Sequence, residues 1–144
     1  MRILALDVGT KTIGVAVSDE LGIAAHGVKT IRRKGVDKDI EEIARLIEEY
    51  RPCEILVGIP YGFDGKITRR GRDIIKFAKL VERSFSVPVR FWDESFSTVC
   101  AEKVLLEADM SRYRRKKVID KLAAVFILEG YLEMQRAKKQ LESK

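Results

Sequence analysis

Three acidic positions of this sequence lie where carboxylates are unfavourable unless they bind something. The run 2–8 is apolar on both of its alternating sides, and Asp7 interrupts the side formed by Ile3 and Ala5. An isolated carboxylate in such a buried strand costs several kcal/mol unless it is paired, neutralised or bound to a metal. Ligand sites in open α/β sheets cluster at strand ends, which makes Asp7 a candidate ligand. The competing interpretation is that Asp7 accepts hydrogen bonds in the turn at Gly9.

The second position is the pair Asp93 and Glu94, which ends another strand that we expect to be central. Alternate residues of a strand face opposite sides, so only one of the two is directed towards the face of Asp7. Periodicity alone does not choose between them. In the competing interpretation, Asp93 caps the helix that follows, a role for which Ser97 and Thr98 also qualify.

The third position is Asp120, which shares a helical stripe with Ala123, Ala124 and Ile127. Adjacent alanines allow a helix to approach a sheet closely, so this stripe carries Asp120 towards the sheet. The competing interpretation is an exposed acid near the start of a helix, stabilised by the helix dipole.

Together, the three acids form a potential cluster of hard oxygen ligands. Such clusters bind Mg²⁺ or Mn²⁺. Two such ions can activate a water and stabilise the leaving oxygen of a phosphodiester. Zinc is not expected, because Cys53 and Cys100 have no Cys or His neighbour at ligand spacing.

The elements that position these acids are predicted by hydrophobic periodicity. The predicted strands are 2–8, 12–18, 27–31, 54–59 and 89–93, and the predicted helices are 37–50, 72–84, 98–108 and 118–137. The first three strands form an antiparallel meander, and the rest follow as β-α-β crossovers. This order predicts an α/β fold with a mixed five-stranded sheet and helices on both faces.

Composition limits the class of protein. With 144 residues, of which 46% are hydrophobic, the chain is expected to form a single domain over 1–144. No apolar run reaches the length of a membrane span, and the start lacks the pattern of a signal peptide, so we expect a cytoplasmic protein.

Charge points to a polyanionic partner. Lys and Arg number 28 against 22 acids, a net charge of +6. Basic residues concentrate at 29–34, at 66–72 and at 112–117, and we expect the last segment to be a loop between two helices. Each cation that contacts a phosphate releases counterions. The alternative is a solvated loop that serves solubility. The candidate nucleic-acid contacts are Lys11, Arg69, Arg70, Arg112, Arg114, Arg115, Lys116 and Lys117.

Four motifs in order resemble the RuvX (YqgF) family over nearly the whole chain. They are Asp7-Val8-Gly9-Thr10-Lys11-Thr12-Ile13-Gly14-Val15-Ala16, Gly58-Ile59-Pro60 with Asp64-Gly65, Asp93-Glu94 with Ser97-Thr98, and Asp120-x-x-Ala123-Ala124-x-x-Ile127-Leu128. The resemblance implies an RNase H-like fold related to the Holliday-junction resolvase RuvC. It also implies a nuclease that matures the 5′ end of pre-16S rRNA.

The resemblance further implies that Asp7, Glu94 and Asp120 are the catalytic, metal-binding acids, with Asp93 the second choice. The cofactor would be Mg²⁺ or Mn²⁺, most simply as two ions. Where the family usually has an Arg after the Asp-Glu pair, this chain has Ser95.

Three other functions compete with pre-rRNA processing. One is a resolvase that cuts branched DNA, expected to act as a homodimer; for this chain we expect a monomer or a homodimer. Another is a ribosome- or transcription-associated binding protein without catalysis, which the retained acids disfavour. The third is a sugar-kinase-like ATPase, suggested by Asp7-x-Gly9-Thr10; such enzymes close two domains on ATP, and this length supplies one.

Overall fold

The computed structural model describes the backbone of residues 1–61, 64–93 and 112–142, and the side chains of these ranges except 112–120. Within them, the strands are β1 (Ile3–Val8), β2 (Thr12–Ser18), β3 (Ala25–Arg32), β4 (Glu54–Ile59) and β5 (Val89–Asp93). The helices are α1 (Val36–Tyr50), α2 (Arg69–Phe85) and α3 (Arg112–Glu142). The helix predicted at 98–108 lies outside the described residues.

The five strands form one mixed sheet in the order β3-β2-β1-β4-β5. β2 pairs antiparallel with both β1 and β3, whereas β4 pairs parallel with both β1 and β5. This arrangement confirms the predicted meander followed by crossovers. β1 is central, and all six of its residues are buried.

Two hydrophobic cores lie on the two faces of the sheet. On one face, Leu4 and Leu6 of β1 belong to a core that contains buried residues of α1 and α2. On the other, Ile3 and Ala5 pack with Ala124 and the following turns of α3. The alternation of β1 therefore separates an α1/α2 face from an α3 face, as two-sided burial predicts.

Helix α3 begins earlier than periodicity predicted. The basic segment 112–117, predicted to be a loop, is its first part, so that prediction was wrong. Arg and Lys are good helix formers, and neither Gly nor Pro interrupts the sequence before Gly130. A charge run says little about backbone conformation. Among the described residues, no helix is both long and apolar enough to cross a membrane.

Candidate active site

Asp7 occupies a buried position in the second half of the central strand. Its exposed fraction is 5%, and alternation along β1 puts it on the α3 face with Ile3 and Ala5. An ionised carboxylate at such a depth needs compensation by hydrogen bonds or positive charge. Strand β1 pairs with a strand on each side, so its backbone would hold the Asp7 carboxylate in a fixed position for a cation.

The strands beside Asp7 carry no side chain at its level. Gly14 of β2 pairs directly with Asp7. On the other side, Leu6 pairs with Val57, so the same register continued by one residue brings Gly58 of β4 next to Asp7. Because both neighbours are glycines, neither adjacent strand places a side chain beside the Asp7 carboxylate, where ions or a phosphate would bind.

Helix α3 covers this face through small residues. Ala123 and Ala124 are both fully buried, which allows the helix backbone to lie close to the sheet. Asp120 lies three and four positions before them, so its backbone position is on the same side of α3. Its side chain is among those that the structure does not describe.

The alternation of β5 decides on which face of the sheet Asp93 lies. Trp92 packs on α3, where its ring meets that of Tyr131 edge-on at 5.7 Å between centroids. Asp93 pairs instead with Ile59, whose side chain belongs to the α1/α2 core. Asp93 is exposed and lies on the face opposite to Asp7, so the structure does not bring these two together. Glu94 lies outside the described residues.

The predicted phosphate contacts lie in three places. Lys11 is exposed in the turn between β1 and β2. Arg69 and Arg70 are exposed in the first turn of α2, where the Thr68 side chain accepts a hydrogen bond from the Gly71 N–H at 3.0 Å. The remaining five are in the first two turns of α3, and their side chains are outside the described set: Arg112, Arg114, Arg115, Lys116 and Lys117.

Sequence reasoning missed an ion pair next to the turn between β1 and β2. Arg33 donates from Nε to the Asp39 carboxylate at 2.9 Å and from Nη1 to the Gly9 carbonyl at 2.8 Å. Its guanidinium carbon lies 5.0 Å from the centre of the Phe77 ring. Asp39 is only 1% exposed and also accepts from the Lys34 N–H at 3.1 Å. The basic run 29–34 signalled charge, but not this pairing.

The donor chemistry of Asp7 fits a hard divalent cation. Asp7 offers carboxylate oxygens, which Mg²⁺ and Mn²⁺ prefer, in a position of low exposure. Within the described part of the chain, no three potential ligands cluster. Glu94 and the Asp120 side chain are outside that part.

Solved structures of similar fold include two nucleases. The structure of Thermus thermophilus RuvC in complex with a Holliday junction substrate superposes with a TM-score of 0.59 and 16% identity, over 94% of this chain and 96% of that chain. For the fowlpox virus resolvase with Holliday junction DNA the TM-score is 0.60 and the identity 16%, over 94% and 99%. These likenesses confirm the RNase H-like fold.

Similarity to curated proteins is much closer. A protein of Clostridioides difficile (strain 630), named "Putative pre-16S rRNA nuclease", is 54% identical over 134 residues, covering 93% of this chain and 95% of its own length. One of Clostridium kluyveri with the same name is 48% identical over 133 residues, covering 92% and 97%. The family model described as "RuvX: Holliday junction resolvase" matches residues 1–134. The chain therefore belongs to the RuvX family.

Proposed function

We propose that this protein is a divalent-metal-dependent nuclease that hydrolyses phosphodiester bonds at the 5′ end of precursor 16S rRNA. The observation that carries the proposal is the burial of Asp7 in the central strand, flanked by glycines and facing α3. The family membership supports the reaction class, and the names of the relatives support the substrate.

The proposed ligands are Asp7, Glu94 and Asp120. Asp93 lies on the face of the sheet opposite to Asp7, so we propose Glu94, which the family resemblance implies, in preference to Asp93. Asp120 approaches from α3. Two bound Mg²⁺ or Mn²⁺ ions would activate the attacking water and stabilise the leaving oxygen. The chain itself contributes rigid placement of the carboxylates, which repel one another when no cation is bound.

Positive charge around the site holds the substrate backbone. Lys11 lies in the turn that follows Asp7, and the basic start of α3 leads directly to Asp120. These cations bind phosphates regardless of sequence, so they position the strand and do not select it. We propose that the protein acts in the cytoplasm with its rRNA substrate, as a monomer or a homodimer.

A direct comparison of substrates tests the proposal. Purified protein is incubated with Mg²⁺ or Mn²⁺ and either a precursor rRNA fragment or a four-way DNA junction. We expect cleavage of the RNA, none in the presence of a chelator, and none by Asp7→Asn. The Asp93→Asn variant is the matched control, because it removes a neighbouring charge on the opposite face and is expected to retain activity.

The other outcomes point to different functions. Paired cuts in the junction by a homodimer, with the RNA left intact, would identify a resolvase, a reaction that the description of the family favours. Binding of either substrate without any metal-dependent cleavage would identify a non-catalytic binding protein.

A further inference from the structure

A groove of about 900 Å³ lies on the face of the sheet opposite to Asp7. It is formed between α1, α2 and the end of β1, and its lining includes Val8, Ile74 and Phe77 of the α1/α2 core. Its volume is within the range of sites that hold small molecules. The groove is separate from the proposed metal site, because Asp7 lies on the other face of the sheet.

Cations dominate the polar lining of this groove. Arg69, Arg70 and Lys76 of α2 are exposed along it, and none makes an ion pair with any residue that the structure describes. The first turn of α2 contains no acidic residue, so the positive end of the helix dipole adds to these charges. Two carboxylates also line the groove, Asp39 and Asp73, and the first is already paired with an arginine.

Arg33 adds a flat surface to the same groove. Its guanidinium is held in place by Asp39 and the Gly9 carbonyl, and the Phe77 ring lies beneath it. Those contacts use two of the five N–H donors of the group. A fixed guanidinium plane is a surface on which nucleic-acid bases stack.

The groove is continuous with the turn that follows Asp7. Gly9 and Thr10, two and three residues after Asp7, form part of its lining. The β1–β2 turn therefore separates the two faces by only a few residues. A nucleic-acid strand that passes from the α3 face over this turn, past Lys11, would enter the groove.

We propose that the groove binds a nucleotide of a single-stranded extension of the substrate, beyond the phosphodiester that is cut. The base stacks on the Arg33 guanidinium, and the phosphate is held by Arg69 and Arg70. This inference rests on the proposed function, since it assumes a nucleic-acid substrate at Asp7. It adds a second binding site that favours substrates with an unpaired end.

The test measures binding separately from cleavage. Asp7→Asn protein is titrated with two RNA duplexes, one blunt and one carrying a short single-stranded extension, and each dissociation constant is measured at several salt concentrations. We expect the extension to tighten binding about tenfold, the effect of one stacked base with its phosphate. Adding Arg69→Ala and Arg70→Ala should remove this preference and reduce the salt slope by about 1.4 for the extended RNA alone.

The matched control removes the same charge elsewhere. Lys138→Ala with Lys139→Ala alters exposed cations near the end of α3, and this variant should keep the preference. Equal binding of the two RNAs by the parent, or equal losses for both RNAs in the Arg69/Arg70 variant, would overturn the proposal. A further contrary result is that a nucleoside monophosphate displaces both RNAs completely while the extension has no effect on binding. That result would assign the groove to a free nucleotide and would also overturn the proposal.

Failure here is distinguishable from failure of the proposed function. Wild-type protein that cuts blunt RNA but shows no preference for an extension would retain the nuclease and lose the groove proposal. If wild-type protein cuts nothing while its Asp7→Asn variant still prefers the extended RNA, the groove proposal is retained and the nuclease function is lost.

Discussion

Asp7 is deeply buried, and we propose that it shares a metal site with Glu94 and Asp120. If the three carboxylates meet as proposed, they repel one another when no metal is bound, and removing one charge relieves that repulsion. We therefore expect Asp7→Asn to abolish metal-dependent cleavage while the thermal midpoint stays equal or rises slightly. Cleavage assays and thermal unfolding of the same preparations measure both. A large loss of stability would instead identify Asp7 as a structural residue.

Arg33 is the residue on which the neighbouring ionic contact depends. Its partner Asp39 is almost fully buried, so removing the guanidinium leaves a buried carboxylate without its cation. We expect Arg33→Met to lower the free energy of unfolding by about 3 kcal/mol, as measured by urea denaturation. Arg32→Met is the control, because Arg32 is the exposed neighbour at the end of β3 and should change stability by less than about 0.5 kcal/mol. Equal effects of the two variants would contradict the role of the pair.

At the scale of elements, α3 is joined to β4 by Tyr131. Burial, together with its hydrogen bond to Glu54 and the charge of that carboxylate, raises the pKa of Tyr131 to about 12. The same Glu54 carboxylate, through Oε2, also lies 3.7 Å from Nε of Arg90 in β5. This contact therefore links the helix that carries Asp120 to two strands of the sheet.

The raised pKa of Tyr131 predicts an alkaline loss of stability. Its pKa is higher in the folded than in the unfolded protein, so its contribution is complete below pH 10 and is lost as the pH rises towards 12. We expect the stability difference between wild type and Tyr131→Phe to shrink between pH 10 and pH 12. The two proteins differ only in the Tyr131 hydroxyl, so the difference isolates this group. A difference in the free energy of unfolding that stays constant across this interval would show that the pKa of Tyr131 is not raised.

The helical start of α3 sorts its basic residues by face. Lys116 and Lys117 lie four and three positions before Asp120, on its side of the helix, whereas Arg114 and Arg115 lie away from that side. We expect Lys116→Ala with Lys117→Ala to reduce the salt slope of single-stranded RNA binding by about 1.4. Arg114→Ala with Arg115→Ala, of equal charge change, should have a smaller effect. The reverse order would place the bound strand on the other side of α3.

For the molecule as a whole, the proposed metal site predicts stabilisation by its ions. A ligand that binds only the folded state raises stability by mass action, by about 2.7 kcal/mol at a concentration one hundred times its dissociation constant. We expect Mg²⁺ or Mn²⁺ to raise the thermal midpoint of wild type and not that of Asp7→Asn. Equal shifts in both proteins would indicate binding elsewhere.

Periodicity and motifs determined much of this protein. The bounds of β2, β4 and β5 agree with prediction, because short apolar runs between turn residues leave little choice of register. The family and the fold are confirmed, and the two-sided burial of the strand containing Asp7 was readable from its apolar residues. Helix ends were predicted less well, since α2 begins at Arg69 and α3 at Arg112, where charged residues hide the hydrophobic period.

Only the tertiary structure decided which face each residue occupies. Strand alternation predicts that Asp93 and Glu94 face opposite sides, but it does not predict which side each one faces. The pairing of β5 with β4 and the packing of Trp92 on α3 put Asp93 on the α1/α2 side. The Arg33–Asp39 pair and its groove likewise arise where the end of β3, α1 and α2 meet. Such contacts depend on the packing of helices on a sheet, which local sequence patterns do not encode.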